Sequence, residues 1–233
     1  MVATRAYRSA VREAQARRTR ERVLEAATAI VLDRGYAGMT VRAVAAGAGV
    51  SVPTVEALFG TKSRLLKAAI DVAIAGDDEP VAVLDRPWAR LAGEARSLEE
   101  LLPMVAGVLA AAQQRSAGLV LAVFEGSSHD AELRALREQM AAQRQATAAW
   151  IVRRMTGVAR LRSGCDVAEA VDVVWLLMDP AVFVRLTRER RWSVERYRRW
   201  IADALARLLV TDLPTKGGKD AEGRNDEQEP VDA

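Results

Sequence analysis

Apolar residues recur along this chain at intervals of three and four, the period of a helix, and no run of alternating apolar and polar positions is long enough to argue for a strand. Val23, Ala27, Ile30 and Val31 form one face of a first helix running to about Asp33, with Gly35 where a left-handed cap is wanted. Thr40 suits the N-cap of a short helix from Val41 to about Ala46, which Gly47, Ala48 and Gly49 end. Ser51 caps a third. Its Val52, Val55 and Phe59 share one face, and Pro53, Thr54, Glu56 and Ala57 point away from it; the proline is tolerated because first-turn amides lack partners in any case. Thr61 or Ser63 opens a fourth helix that ends near Ala75, and the run Gly76 to Pro80 marks a domain junction.

Downstream the pattern predicts helices at 97–115, 117–126, 129–156, 166–187 and 194–210, about nine in all, so the expected fold class is all-α. Residues 118–126 are apolar nearly all round, as in a helix enclosed by others. Residues 170–186 carry apolar side chains on more than one face, interrupted at Asp179-Pro180, and should touch both their own core and a second body. Behind Ser193, Val194, Tyr197, Ile201, Leu205 and Leu208 make the stripe of a last helix.

Charge divides the chain. Residues 1–70 hold twelve Lys and Arg against five Asp and Glu, whereas residues 214–233 hold three against six. Positive charge gathered at one end suits a segment that meets phosphates. Residues 1–16, with Arg5, Arg8 and Arg12 among small residues, lack a face wide enough to pack and read as a basic flexible arm; 214–233 read as a disordered acidic tail. No stretch reaches the roughly 18 consecutive apolar residues of a membrane span, so the expectation is a soluble, cytoplasmic protein. One cysteine, Cys165, and one histidine, His129, exclude an internal disulfide and give no metal cluster, and no cofactor is implied. No nucleophile–base constellation points to an enzyme. Asp77, Asp78 and Glu79 read as a solvated loop rather than a magnesium site, and Ser128 with Asp130 as the start of a helix.

Residues 17 to about 70 resemble the N-terminal domain of the tetracycline-repressor (TetR) family in order as well as composition: an apolar helix, Gly35-Tyr36 with Thr40 opening the next helix, Ala48-Gly49-Val50-Ser51 at the turn, then Thr54-Val55, Phe59-Gly60-Thr61-Lys62 and Leu65-Leu66. The resemblance implies a three-helix helix-turn-helix domain at 17–76 and a larger helical ligand-sensing and dimerisation domain at 77–213. A reading helix propped from below by Val55 and Phe59 leaves its other face bare for a major groove. The candidate DNA contacts are Thr40, Arg42, Ser51, Pro53, Thr54, Glu56, Ala57 and Lys62, with Arg12, Arg17 and Arg18 of the arm; the family places phosphate contacts at the positions of Arg42 and Lys62.

Two positions depart from the family. Many members carry tyrosine at the position of Glu56 and lysine at that of Val52, so a second reading stands beside the first: a dimeric helical ligand-binding or interaction protein of the same fold with weak or lost DNA binding. On the first reading, the protein is a homodimeric repressor released from a palindromic operator in double-stranded DNA by a small apolar ligand. Met104, Phe124, Glu125, Met140, Trp150, Trp175, Met178 and Asp179 are candidates for the ligand pocket. Asp179 has a local explanation too, since an acid before proline often caps a new turn. Val174, Phe183, Tyr197, Ile201, Leu205 and Leu208 are candidates for a dimer interface in which the last two helices pair with their twofold copies.

Overall fold

The structure is a computed structural model that describes residues 2–210, with side chains from residue 11; the expected acidic tail at 214–233 lies outside the described residues. Ten α-helices follow in order: α1 (Val2–Gly38), α2 (Val41–Ala48), α3 (Val52–Phe59), α4 (Lys62–Ala75), α5 (Pro87–Glu94), α6 (Leu98–Gly126), α7 (Ala131–Val158), α8 (Val167–Leu177), α9 (Pro180–Val184) and α10 (Val194–Leu209). A 3-10 turn, Val83–Asp85, precedes α5, and a π turn, Arg185–Glu189, follows α9. Among the described residues the only extended pairing is one isolated bridge between Leu161 and Val210.

Four boundaries differ from the sequence reading. The backbone of residues 2–16 is helical and continuous with α1, because want of an apolar face argues against packing but not against helix in an alanine- and arginine-rich stretch. Gly35, at φ 68°, interrupts α1 as expected, although three more residues follow it in the same run. The segments at 97–115 and 117–126 are one helix: the Ser116 hydroxyl donates to the Ala112 carbonyl 2.8 Å away, inside an unbroken ladder. Conversely, 166–187 is two helices. Met178 ends the first and Asp179 caps the second, its carboxylate accepting from the Ala181 amide at 2.9 Å.

Two apolar cores hold these elements. The N-terminal one gathers Val23, Ala27 and Val31 of α1, Val44 of α2, Val55 and Phe59 of α3 and Leu65, Leu66 and Ile70 of α4, and it also takes Leu119 and Val123 of α6 and Leu133 and Leu136 of α7. The first domain is therefore completed by the far end of the second. The other core packs Leu101, Val105 and Leu109 of α6 against Ile151 and Met155 of α7, Val174 of α8, Phe183 of α9 and Tyr197, Ile201 and Leu205 of α10. α6 runs through both. It is the one described helix apolar and long enough to cross a bilayer by composition, and half of its most apolar window is packed inside the molecule.

Candidate nucleic-acid interface and ligand cavity

α2 and α3 turn through 107° at their junction, inside the range of two helices joined by a tight turn that presents the second to a groove. Local chemistry sets that corner. Thr40 accepts from the Ala43 amide at 3.1 Å and Ser51 from the Thr54 amide at 3.3 Å, so each helix starts on a side-chain cap. Between them Gly49 adopts φ 63°, ψ 41°, a left-handed conformation that a Cβ would oppose. Val55 and Phe59 are buried and Val52 half-buried, while Pro53, Glu56 and Ala57 are exposed and Thr54 is half-buried with its hydroxyl 2.8 Å from that of Ser51. Exposed Thr40, Arg42 and Ser51 complete the surface the sequence anticipated. Arg12, Arg17 and Arg18 are also exposed, carried on α1.

Lys62 is more constrained than a solvated phosphate ligand. Its ammonium sits 3.8 Å from the centre of the Tyr36 ring, and burial pulls its pKa down from the ordinary lysine value against the opposing pull of Asp130. Tyr36 is pushed up to about 12 by burial first, then by Asp130 and Glu132, and it hydrogen-bonds Asp130. Asp130 in turn caps α7 through the Glu132 and Leu133 amides at 2.9 and 3.1 Å. One position further along α4, Ser63 donates to Glu132. At the other end of α4 the Arg115 guanidinium donates to the Ala73 and Ile74 carbonyls at 2.7 and 3.0 Å. α4 is thus clipped to the second domain at both ends. Sequence reasoning found Lys62 and the cap at its start, but not Tyr36, Arg115 or Glu132 as ties, because their partners stand tens of residues away.

A cavity of about 1010 Å³ lies where α4, α6, α7 and the linker meet. Phe124, Met140, Trp175, Met178 and Asp179 line it, as the sequence suggested. Three other candidates do not. Glu125 is exposed, Met104 is half-buried against the second core, and Trp150 lies one layer back, edge-on to Trp88 with centroids 5.3 Å apart, so that Trp88 forms the wall instead. Arg144 is the polar feature that sequence reasoning missed. Its Nη1 donates to Asp179 at 3.0 Å and its guanidinium stacks 4.0 Å from the Trp175 centroid, yet it falls within a stripe, Leu133, Leu136, Met140, Thr147, Ile151, that is otherwise apolar or neutral. A charge among the apolar positions of that helix was the available signal.

The expected dimer residues need correction. Val174, Phe183, Tyr197, Ile201 and Leu205 are buried inside this chain's own core, and only Leu208 is exposed, at 46%. The 3.6-residue stripe marked the intramolecular face. Beside that face, Trp200 and Ala204 are half-buried against the same core and align with Leu208 at intervals of four, with Trp192 edge-on to Trp200 at 6.0 Å.

A capped pair of helices at 107°, seated on a larger helical bundle with a cavity at the seam, has the form of an all-helical helix-turn-helix protein. Residues 23–69 match the family of bacterial regulatory proteins called the tetR family. None of the curated proteins compared with it matches the sequence. Solved structures share the fold over most of the chain. NalD of Pseudomonas aeruginosa, the secondary repressor of the MexAB-OprM multidrug efflux pump, is 18% identical with a TM-score of 0.63, covering 85% of this chain and 99% of its own. A TetR-family member from Streptomyces coelicolor A3 is 21% identical with a TM-score of 0.54 over 83% and 99%. A chain from Saccharomonospora viridis, solved in complex with choline, is 20% identical with a TM-score of 0.61 over 83% and 98%.

Proposed function

We propose that this protein is a homodimeric, cytoplasmic transcriptional repressor that binds a palindromic operator through α2 and α3 and is released by a small, largely apolar ligand entering the cavity beside α4. The observation that carries this reading is the bare outer face of α3. Pro53, Thr54, Glu56 and Ala57 are turned from the core while Val55 and Phe59 hold the helix rigidly from beneath. Such a helix, with exposed Arg42 near the start of α2 and Lys62 at the start of α4 for the phosphates, meets the requirements of groove insertion. With no Arg, Asn or Gln on that face, base discrimination falls to Thr54 and Ala57 against thymine methyl groups and to DNA shape. Ile70 and Ile74 of α4 line the cavity, so a ligand there bears on the helix that follows the reading helix. A coupling of about 1–3 kcal/mol through it lowers operator occupancy several-fold or more.

Selection of bound duplexes from a random pool at moderate salt tests the reading. Recovery of an inverted repeat with half-sites about one helical turn apart supports it. Glu56, exposed on the reading face, favours the second reading of a ligand-binding relative without operator affinity. A pool with no enriched sequence decides for that one.

A further inference from the structure

The cavity is apolar but not neutral. Asp71, Asp77 and Asp78 at its rim are each held by a cation: Lys67 at 2.6 Å, Arg86 at 2.6 Å and Arg20 at 2.6 Å. Glu79 is exposed on the linker, and Arg115 is spent on the carbonyls at the end of α4. The inner wall differs. There Arg144 faces Asp179, and Arg137, two turns earlier on the same side of α7 and exposed, stands at the outer end of the wall. Arg137 leans over the Phe124 ring at 5.1 Å and donates to the Ser127 hydroxyl at 3.4 Å, a neutral partner. Arg144 is 13% exposed, gives only Nη1 to Asp179, and has a buried Nε with no hydrogen-bond partner. A buried guanidinium N–H without an acceptor is a standing energetic penalty, and a guanidinium with one carboxylate partner keeps donors for an incoming anion. Burial and the like charge of Arg137 both act against the charged form of Arg144, in the sense that an anion would relieve.

We infer that the ligand of this cavity is an amphipathic monoanion, a carboxylate on an apolar aliphatic or aryl body, whose head group binds the accessible part of the Arg144 guanidinium beside Trp175 and Asp179. The inference rests on the cavity being the effector site proposed above. The guanidinium is already fixed by Asp179 on one side and by the Trp175 ring beneath it, so a carboxylate meets a preset donor edge. Trp88, Phe124, Met140 and Met178 receive the body. The same head group stands next to the cap of α9 and to the Met178 carbonyl, which accepts from Gln113 at 2.6 Å, and so touches the joint between α8 and α9.

Three probes of equal chain length separate the possibilities: decanoate, decanol and decyltrimethylammonium, the last carrying the head group of the choline held by the Saccharomonospora viridis relative. Each is titrated into the full chain below its aggregation threshold, with binding read from tryptophan fluorescence. Decanoate should bind about tenfold or more tightly than either other probe, as a charge-assisted contact to a desolvated guanidinium implies. The double substitution Arg144→Met, Asp179→Asn, which keeps the α9 cap and leaves no lone carboxylate, should bring decanoate down to the affinity of decanol and leave decanol within about twofold. Decanol or decyltrimethylammonium binding as tightly as decanoate to the unaltered protein overturns the head-group assignment while leaving the effector site standing. Retention of the decanoate preference in the folded double variant overturns the role of Arg144. If none of the three binds, the effector-site reading falls, and this inference with it.

Discussion

Tyr197 shows how a single buried atom can work against its surroundings. Its ring packs edge-on to Phe183 at 4.9 Å, and among the described residues no atom accepts from or donates to its hydroxyl, which is buried. Burial pushes its pKa well above the ordinary tyrosine value. Tyr197→Phe keeps the ring and removes the desolvated hydroxyl, so thermal unfolding should show no loss and a gain of up to about 1 kcal/mol. A loss above that size would mean the hydroxyl has a partner after all. At the DNA surface the residues divide by role. Lys62→Ala should weaken binding about equally on all duplexes, several-fold at moderate salt, and reduce the slope of log affinity against log salt by about one. Thr54→Val, which keeps shape and alters the polar atom, should change preference at particular base pairs; gel shifts on a panel of operator variants distinguish the two.

The elements were legible to unequal degrees, for physical reasons. Caps are local, so Thr40, Ser51 and Ser193 could be placed from neighbouring residues alone and the α4 cap narrowed to Thr61 or Ser63, of which Thr61 caps it, and α2, α3, α4 and α10 followed. α5 was passed over because only Ala89 and Ala92 of its two turns are buried, too short a stripe to register. The linker before it is organised by an ion pair that sequence spacing treated as solvated charge. Arg86, 10% exposed, grips Asp77 with both terminal nitrogens at 2.6 and 2.9 Å. That guanidinium first, and the Glu79 amide second, hold the Asp77 carboxyl down at about 2, against an ordinary value of 3.8. The folded value lies below the unfolded one, so the clamp's contribution is complete above about pH 4 and is lost as pH falls towards 2. Melting temperatures of the native chain and of Arg86→Gln should therefore differ by a constant amount from neutral pH to about 5 and converge as the pH approaches 2. A gap that persists at the lowest pH would assign the stabilisation to the arginine's packing instead.

Sequence periodicity identifies a buried face but not what buries it, and at the scale of the whole molecule that distinction decides the assembly. The stripe of Tyr197, Ile201 and Leu205 turned out to be intramolecular, which leaves Leu208, beside half-buried Trp200 and Ala204, as the exposed apolar position of α10. If two copies meet there, Leu208→Glu should convert a dimer to monomers in sedimentation while leaving the helical circular dichroism intact, since Leu208 contributes little to the chain's own core. Signal transmission depends on a different pair of contacts. α4 is fastened at its C-terminal end by Arg115 to the Ala73 and Ile74 carbonyls and at its N-terminal end by Ser63 to Glu132, while Ile70 and Ile74 between them face the cavity. A helix held at both ends and displaced in the middle must pass that displacement to whatever adjoins it, and α3 adjoins it through Gly60 and Thr61. Glu132→Ala releases one end without touching cavity or reading face. Operator affinity without ligand should then change by no more than about twofold, decanoate affinity should stay the same, and the ratio of operator affinities without and with decanoate should fall towards one. Fluorescence anisotropy on labelled operator measures all three quantities on one sample. An undiminished ratio would place the coupling elsewhere, with the Tyr36–Asp130 contact the next to be cut, because it ties the end of α1 to the same cap of α7.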